Sequence, residues 1–336
     1  MKYKIVTTSI HSHSITQVQQ MINAGANVLR YNAAYGSQEE ITSHIASIRA
    51  WAKSNNKTIS IMIDIPGSKP RIRINRKDGL SISSGDLVKV SKLTNPSDDR
   101  VIYLDNDLLL EDVIPGDVFL IDDGAIGLQV VENNGNEITT RVINAGTILP
   151  NKGIWVKDHG KPAIFITTKE IKKYIELIKT NKPEWVAISF ATGTIMSEVK
   201  KLFKLKLSSD HQPRIAAKIE TPEGVDTLDK ITSYCEMFIV ARGDLAELCD
   251  YAKLGNLQET IIRHGKAHNT PVIVATQILD STTNSYLPSR AEILDLYYIF
   301  KEKADGVMLA DAVVRAKNPS HPLIIISELE SKYEAN

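Results

Sequence analysis

Two cysteines, Cys235 and Cys249, are all that the 336 residues contain. That is too few for a disulfide framework and ordinary for a chain kept in a reducing compartment. Net charge is missing too: 40 Lys and Arg stand against 40 Asp and Glu. The balance leaves no overall electrostatic footprint for nucleic acid or an acidic membrane surface. No apolar run approaches the ~18 residues of a membrane span. The start, Met1-Lys2-Tyr3-Lys4-Ile5-Val6, reads as a strand and lacks the long apolar core of a secretory signal. Neither an internal repeat nor a low-complexity stretch is present. With 43% hydrophobic and 24% charged residues, the expectation is a cytoplasmic globular protein with a sizeable core. At about 150 residues per domain the length suggests two domains, although α/β barrels run to about 250 residues as one.

What the chain has is alternation. Short apolar, β-branched runs recur at Tyr3–Thr8, Asn27–Tyr31, Thr58–Asp64, Trp185–Ser189, Arg214–Glu220, Met237–Ala241, Pro271–Thr276 and Gly306–Leu309. Each is too short for a helix and almost continuously apolar, as strands covered on both faces should be. Segments with helical spacing lie between most of them: Ile15–Ala24, Gln38–Lys53, Thr168–Lys179, Ile195–Lys206, Leu254–Asn269 and Ser289–Lys303. Ser14, Ser37, Thr167 and Ser289 are placed to cap helices, and Gly25 to stop one. Eight such strands are the number that closes a parallel (β/α)8 barrel of the TIM type. A doubly wound open sheet is the alternative.

One interval breaks the pattern. From Pro70 to Val156 short strands are punctuated by Asp78-Gly79, Ser84-Gly85-Asp86, Pro115-Gly116-Asp117, Asp123-Gly124 and Asn134-Gly135-Asn136. This predicts a small all-β domain, a β-barrel over 70–156, inserted after the third strand of a barrel formed by 1–69 and 157–336. On a barrel, loops at the carboxyl ends of the strands surround the active site, so an insertion there serves as a lid.

Polar residues cluster at those strand ends. Lys218 and Glu220 are two apart in a strand and so point to one side. A structural ion pair is the competing reading, since burying such a pair is costly. Arg242-Gly243-Asp244 closes the next strand. Asp244 with Glu220 suits a hard cation such as Mg²⁺, and Gly243 allows close backbone approach to an anion, whereas a loop salt bridge is the alternative. Arg30 and Asn32 end the second strand, Asp64 the third and Thr276 the seventh. His11 and His13 have no third ligand at a metal-site spacing, so a loop role is expected.

Taken in order, Asn27-Val28-Leu29-Arg30-Tyr31-Asn32, Lys218-Ile219-Glu220, Ala241-Arg242-Gly243-Asp244-Leu245, Val274-Ala275-Thr276-Gln277-Ile278-Leu279 and Pro288-Ser289-Arg290-Ala291-Glu292 resemble the pyruvate kinase signatures. The resemblance runs from Lys4 to about Leu323. It implies a glycolytic phosphotransferase moving a phosphoryl group between phosphoenolpyruvate, or a related enol phosphate or hydroxy acid, and ADP or ATP. It also implies roles: Lys218 stabilises the transferred group and the enolate oxygen, Arg30 contacts the phosphoryl group, and Glu220 and Asp244 bind Mg²⁺ (or Mn²⁺). Thr276 with the Gly243 and Asp244 backbone would hold the pyruvyl carboxylate. Asn32, Arg71 and Lys152 would meet the nucleotide, and Arg290 lies where the family forms a barrel-to-barrel homodimer contact.

Departures shape these expectations. Asn32-Ala33-Ala34-Tyr35-Gly36 stands for the family's Asn-Phe-Ser-His-Gly, so Ala34 replaces a monovalent-cation ligand and Tyr35 a nucleotide-facing histidine. Asn32 and Asp64 remain from the cation site. Lys69 falls where potassium-independent members carry lysine, so no K⁺ requirement is expected. Ile10-His11-Ser12-His13 lacks the family's proline, and Met308-Leu309-Ala310-Asp311-Ala312 lacks its Ser/Glu pair. The sequence stops near Asn336, where the family continues into an effector-binding domain; activation by sugar phosphates through that domain is therefore not expected. Weakened nucleotide and potassium elements leave a second reading, a Mg²⁺-dependent aldolase, lyase or decarboxylase acting through a pyruvate enolate.

Overall fold

The computed structural model describes residues 1–8, 10–92, 98, 100–104, 113–122, 124–157 and 166–333. The turn expected at Asp123 falls outside them. Two compact units are present: Met1–Gly67 with Ile166–Gly243 and Lys253–Asn336, and Ser68–Phe165 with Asp244–Ala252.

In the first unit, β1 (Tyr3–Thr7), β2 (Val28–Asn32) and β3 (Ser60–Ile65) come first. The remaining barrel strands are β13 (Trp185–Ile188), β14 (Arg214–Ile219), β15 (Met237–Ala241), β16 (Val272–Ala275) and β17 (Gly306–Leu309). All pair in parallel and close on themselves in the order β1-β17-β16-β15-β14-β13-β3-β2. Closure excludes the open-sheet alternative. Helices α1 (Ile15–Asn23) and α2 (Gln38–Ser54) follow β1 and β2. After the inserted segment come α3 (Thr168–Lys172) and α4 (Ile175–Asn181), then α5 (Gly193–Lys206). α6 (Pro222–Asp226) and α7 (Leu228–Thr232) follow β14, and α8 (Arg242–Leu248) and α9 (Leu254–Ala267) follow β15. α10 (Arg290–Lys301), α11 (Asp311–Val314) and α12 (His321–Tyr333) complete the set.

All four expected caps form capping boxes: Ser14 with Gln17, Ser37 with Glu40, Thr167 with Glu170, and Ser289 with Glu292. Each satisfies two otherwise orphaned backbone donors at a helix start. The single helix expected over Thr168–Lys179 is instead two, because Lys173 N–H and Tyr174 N–H bond three residues back and tighten the turn between them. No helix among the described residues is long and apolar enough to cross a membrane.

The lumen is filled by every second residue of the strands. Tyr3, Ile5, Val28, Met62, Trp185, Ala187, Ala216, Met237, Ile239, Ile273, Ala275 and Met308 pack as one cluster. All eight strands contribute, so the interior is a packed core and not a pore. Trp185 is almost fully buried, with Tyr3 edge-on at 6.0 Å and the Arg214 guanidinium 3.9 Å from its ring.

The inserted segment builds the second unit from β4 (Ile72–Arg73), β5 (Leu80–Ile82), β6 (Leu87–Lys92), β7 (Val101–Leu104) and β8 (Val118–Ile121), with β9 (Ile126–Asn133), β10 (Glu137–Val142), β11 (Gly146–Ile148) and β12 (Ile154–Val156). Seven strands form one sheet, β12-β8-β9-β10-β6-β7-β4, and β11 pairs with β5. The two end strands approach through one bridge, Arg71 to Gly153. Alternate residues such as Val88, Val90, Leu128, Val130 and Ile138 enter its own apolar core. At the β9–β10 hairpin Gly135 takes φ +89°, and Asn133 and Asn134 side chains accept from the turn's N–H groups.

Closure depends on close approach of β1 and β17. A Cβ at Gly306 would lie 2.1 Å from the Tyr3 carbonyl oxygen, a rigid backbone atom. Gly306→Ala is expected to cost about 3 kcal/mol by forcing the seam apart; a urea midpoint matching that of the unsubstituted protein would contradict this.

Candidate active site

The lumen's alternation continues past its apolar layers. Beyond Ile5 on the same parity is Thr7; beyond Val28, Arg30; beyond Met62, Asp64; beyond Ala187, Ser189; beyond Ala216, Lys218 and Glu220. Side chains that would otherwise pack the core are here replaced by charged and hydroxyl groups.

These groups are brought together. Arg30 donates from Nε to Asp64 Oδ2 at 2.7 Å and from Nη1 to Thr7 Oγ1 at 2.8 Å. Lys218 Nζ lies 2.9 Å from Glu220 Oε1, 3.5 Å from Asp64 Oδ2 and 2.9 Å from Ser189 Oγ. Glu220 Oε2 accepts from the Phe190 N–H at 2.6 Å. Asp64 and Glu220 are each 1% exposed, and Lys218 and Arg30 8% and 9%. Two positive and two negative groups at this depth are tolerable because each charge has a counter-charge and hydrogen bonds. Asp64 Oδ1 has no hydrogen-bond partner among the described residues.

Backbone strain accompanies the cluster. Phe190, whose N–H holds Glu220, has φ 49°. After β16 the chain turns through Thr276 (φ 73°), Gln277 (φ 53°) and, one residue on, Leu279 (φ 59°). For β-branched Thr276 this is a true outlier, and such strain persists only where surroundings enforce it. Arg242 is the enforcing group: Nη2 donates to the Thr276 carbonyl at 2.6 Å and Nε to the Ala275 carbonyl at 3.1 Å. Asp295 anchors Arg242 at 2.7 Å. Gly243 leaves room beside Thr276, since a Cβ there would lie 3.1 Å from Thr276 Cγ2. A cavity of about 490 Å³ is lined by Arg30, Asn32, His11, Tyr35, Asp311 and Arg315, among others. Asn32 Oδ1 also accepts from the Ala34 N–H at 3.0 Å.

The second unit holds the other residues singled out in the sequence. Lys69 Nζ bonds Asp244 Oδ1 at 2.8 Å and Glu247 Oε2 at 3.0 Å, and lies 5.2 Å from the Trp155 ring. Gly153 makes space for it: a Cβ there would sit 2.4 Å from Lys69 Cε. Lys152 pairs with Asp122 at 2.6 Å, and Arg71 donates to the Asn151 carbonyl at 2.8 Å. Arg290 is the exposed first residue of α10.

Ser189, Phe190, Arg242 and Glu247 were not assigned roles by sequence reasoning. Ser189 carried a usable signal, being on lumen parity at the end of the fourth barrel strand. Arg242 did not: its carbonyl partners lie at the end of β16 and just past it, more than thirty residues on. Nor did Phe190, which acts through its backbone.

The family model "Pyruvate kinase, barrel domain" matches residues 1–323. A pyruvate kinase of Buchnera aphidicola is 31% identical over 332 residues, covering 97% of this chain and 68% of that protein. One from Thermococcus litoralis is 30% identical, covering 99% and 70%. The crystal structure of a pyruvate kinase from Cryptosporidium parvum superposes with a TM-score of 0.85 at 25% identity, covering 99% of this chain and 69% of that one.

At the rim Asp280 links the strained loop to α11 by accepting from the Ala312 N–H at 3.0 Å. Burial first, then the neighbouring Asp311 carboxylate, pushes its pKa up to about 6 from 3.8. The folded state thus holds the Asp280 proton more tightly than the unfolded chain does. The stability this contributes is complete below about pH 4 and lost as pH rises through 6. Asp280→Asn keeps the acceptor and removes the charge. It should stabilise the fold by about 1 kcal/mol at pH 7.5, after allowing for solvent screening, and by nothing near pH 4. Equal gains at both pH values in denaturant titrations would refute the assignment.

Proposed function

The chain belongs to the pyruvate kinase family, and on that footing we propose that it transfers a phosphoryl group between phosphoenolpyruvate and ADP. The observation that carries the proposal is the fixed cationic pair at the barrel mouth. Arg30 spends two of its five N–H groups on Asp64 and Thr7, which leaves three aimed by a side chain that is already immobilised. Such preorganised charge in a water-poor site is what phosphoryl transfer requires, because little covalent chemistry falls to the protein.

In this reading the ester P–O bond of phosphoenolpyruvate breaks as a β-phosphate oxygen of ADP bonds to phosphorus. The electron pair stays on the enolate oxygen, and the enolate then takes a proton from solvent at its terminal carbon to give pyruvate. Lys218, held by Glu220 and Ser189, neutralises that oxygen and the moving group, and Arg30 binds the phosphoryl oxygens. Thr276, with Gly243 and the Asp244 backbone, holds the pyruvyl carboxylate, and Arg242 keeps Thr276 in its strained position. Asn32, Arg71 and Lys152 meet the nucleotide. Residues 70–156 act as the lid that excludes water, with the catalytic barrel over 1–69 and 157–336. A homodimer contact is expected along α10, where Arg290, Leu294 and Tyr297 are exposed.

The donor set fits a hard divalent cation: Glu220 and Asp244 offer carboxylate oxygens, the ligand type Mg²⁺ and Mn²⁺ take. When bound, such an ion supplies electrophilic charge to the phosphoryl and pyruvyl oxygens. The monovalent-cation role falls to Lys69, whose ammonium is fixed by Asp244 and Glu247; Asn32 and Asp64 are what remains of that site.

Mixing the protein with Mg²⁺, phosphoenolpyruvate and ADP should yield pyruvate and ATP in equal amounts. Lys218→Met should lower kcat at least about 10²-fold while keeping native circular dichroism. A fully active variant would mean the site is misassigned. Exchange of pyruvate methyl protons into D₂O without any ATP formation would instead favour enolate lyase chemistry. Replacing NaCl by KCl should leave the rate unchanged; a steep rise with K⁺ would remove Lys69 from its assigned role.

A further inference from the structure

Outside the barrel mouth, α7 and α9 bring three ligand-type side chains together. Asp229 lies on α7, His264 in the last turn of α9, and His268 at its C-terminal cap. Ligand atoms from the three lie within 4.8 Å of one another. His264 and His268 are four residues apart, so their rings leave the same helix face. The rings stack at 4.2 Å.

Their hydrogen bonds dictate where the protons sit on the neutral rings. The Thr232 hydroxyl donates to the Leu228 carbonyl at 2.8 Å, so its oxygen can only accept from His264 Nε2 at 2.9 Å. The proton is therefore on Nε2, and His264 Nδ1 presents a lone pair 3.8 Å from Asp229 Oδ1. His268 Nδ1 lies 2.9 Å from the His264 carbonyl, which has no proton to give. It must donate, which leaves the His268 lone pair on Nε2. Each imidazole thus uses one nitrogen to donate to an oxygen and keeps the other as a base, the arrangement that orients histidines at metal centres.

We propose that Asp229, His264 and His268 form a site for a divalent transition-metal ion of the Zn²⁺ class, which clasps α7 to α9. Two imidazole nitrogens with one carboxylate favour such an ion over Mg²⁺ or Ca²⁺, which take oxygen ligands. Metal–nitrogen bonds of about 2.0–2.1 Å need the ligands drawn closer. Asp229 and His268 can move to meet that need, the Asp229 side chain being 89% exposed and His268 exposed as well. The same exposure supplies an entry path and leaves a coordination position for water. α7 has only five residues, too few to be stable alone, and the ion would tie it to the fourteen-residue α9. The site is separate from the oxygen-donor carboxylates of the proposed reaction.

The test uses the full chain stripped of metal by a chelator, with excess Mg²⁺ present to saturate oxygen-donor sites. One equivalent of Co²⁺ should bind with visible d–d absorption, and Zn²⁺ should displace it. Asp229→Ala and His268→Ala should each weaken Zn²⁺ binding about tenfold or more. These two surface positions decide the matter because His264→Ala also removes packing against Phe238, whose ring lies 5.8 Å away. Absence of saturable Co²⁺ and Zn²⁺ binding would overturn the proposal, as would undiminished affinity in both variants.

Discussion

A guanidinium, an ammonium and two carboxylates share the end of the barrel lumen with little access to water. Arg30, Lys218, Asp64 and Glu220 alternate in sign and touch in sequence. Removing any one would leave the buried cluster with an uncompensated charge, a far larger penalty than the net gain of having the pairs. The surrounding structure is therefore obliged to keep all four in register. Three strands supply them, and neighbouring backbone and hydroxyl groups at Phe190, Ser189 and Thr7 add hydrogen bonds to Glu220, Lys218 and Arg30.

Closure of the barrel is what makes this register rigid. Each strand is fixed by two neighbours, so a side chain on lumen parity cannot rotate its strand away from the cluster. The apolar layers beneath resist compression, and the tight seam at Gly306 leaves no slack. Against this stiff frame the strained turn after β16 is sustainable, because Arg242 bridges its carbonyls to Asp295 on α10. Cost at one loop is offset by hydrogen bonds drawn from two other elements. The result is a set of donors whose positions the fold has already fixed, the kind of preorganisation that electrostatic catalysis of group transfer requires in general.

Balanced charge also takes on a more specific meaning. The equality of 40 acidic and 40 basic residues hides local concentration of both signs at the strand ends. In the second unit Lys69 is likewise not a free surface lysine: it is threaded past Gly153 and held between two carboxylates. A neutral total therefore says little about how strongly an anionic substrate would be held, and the arrangement of the charges says much more.

Much of the architecture was legible in the sequence because it rests on local rules. Strand runs, capping residues and the switch to hairpin turns after the third strand each follow from a few adjacent residues, and all four anticipated caps formed. So did the pairing of Lys218 with Glu220, since residues two apart in a strand must share a face. The single helix expected over Thr168–Lys179 failed for a local reason too, a tightened turn at Lys173 and Tyr174 that apolar spacing does not encode. Partners distant along the chain were of another kind. That Arg30 meets Asp64 and Thr7, that Arg242 restrains Thr276, and that Asp229 faces His264 depend on how strands close and helices pack, and no spacing rule reaches across such separations. Sequence by itself determined which groups stand at the ends of the strands. Tertiary structure alone decided which of them touch, because contact is set by barrel closure and register, properties of all eight strands together and of none alone.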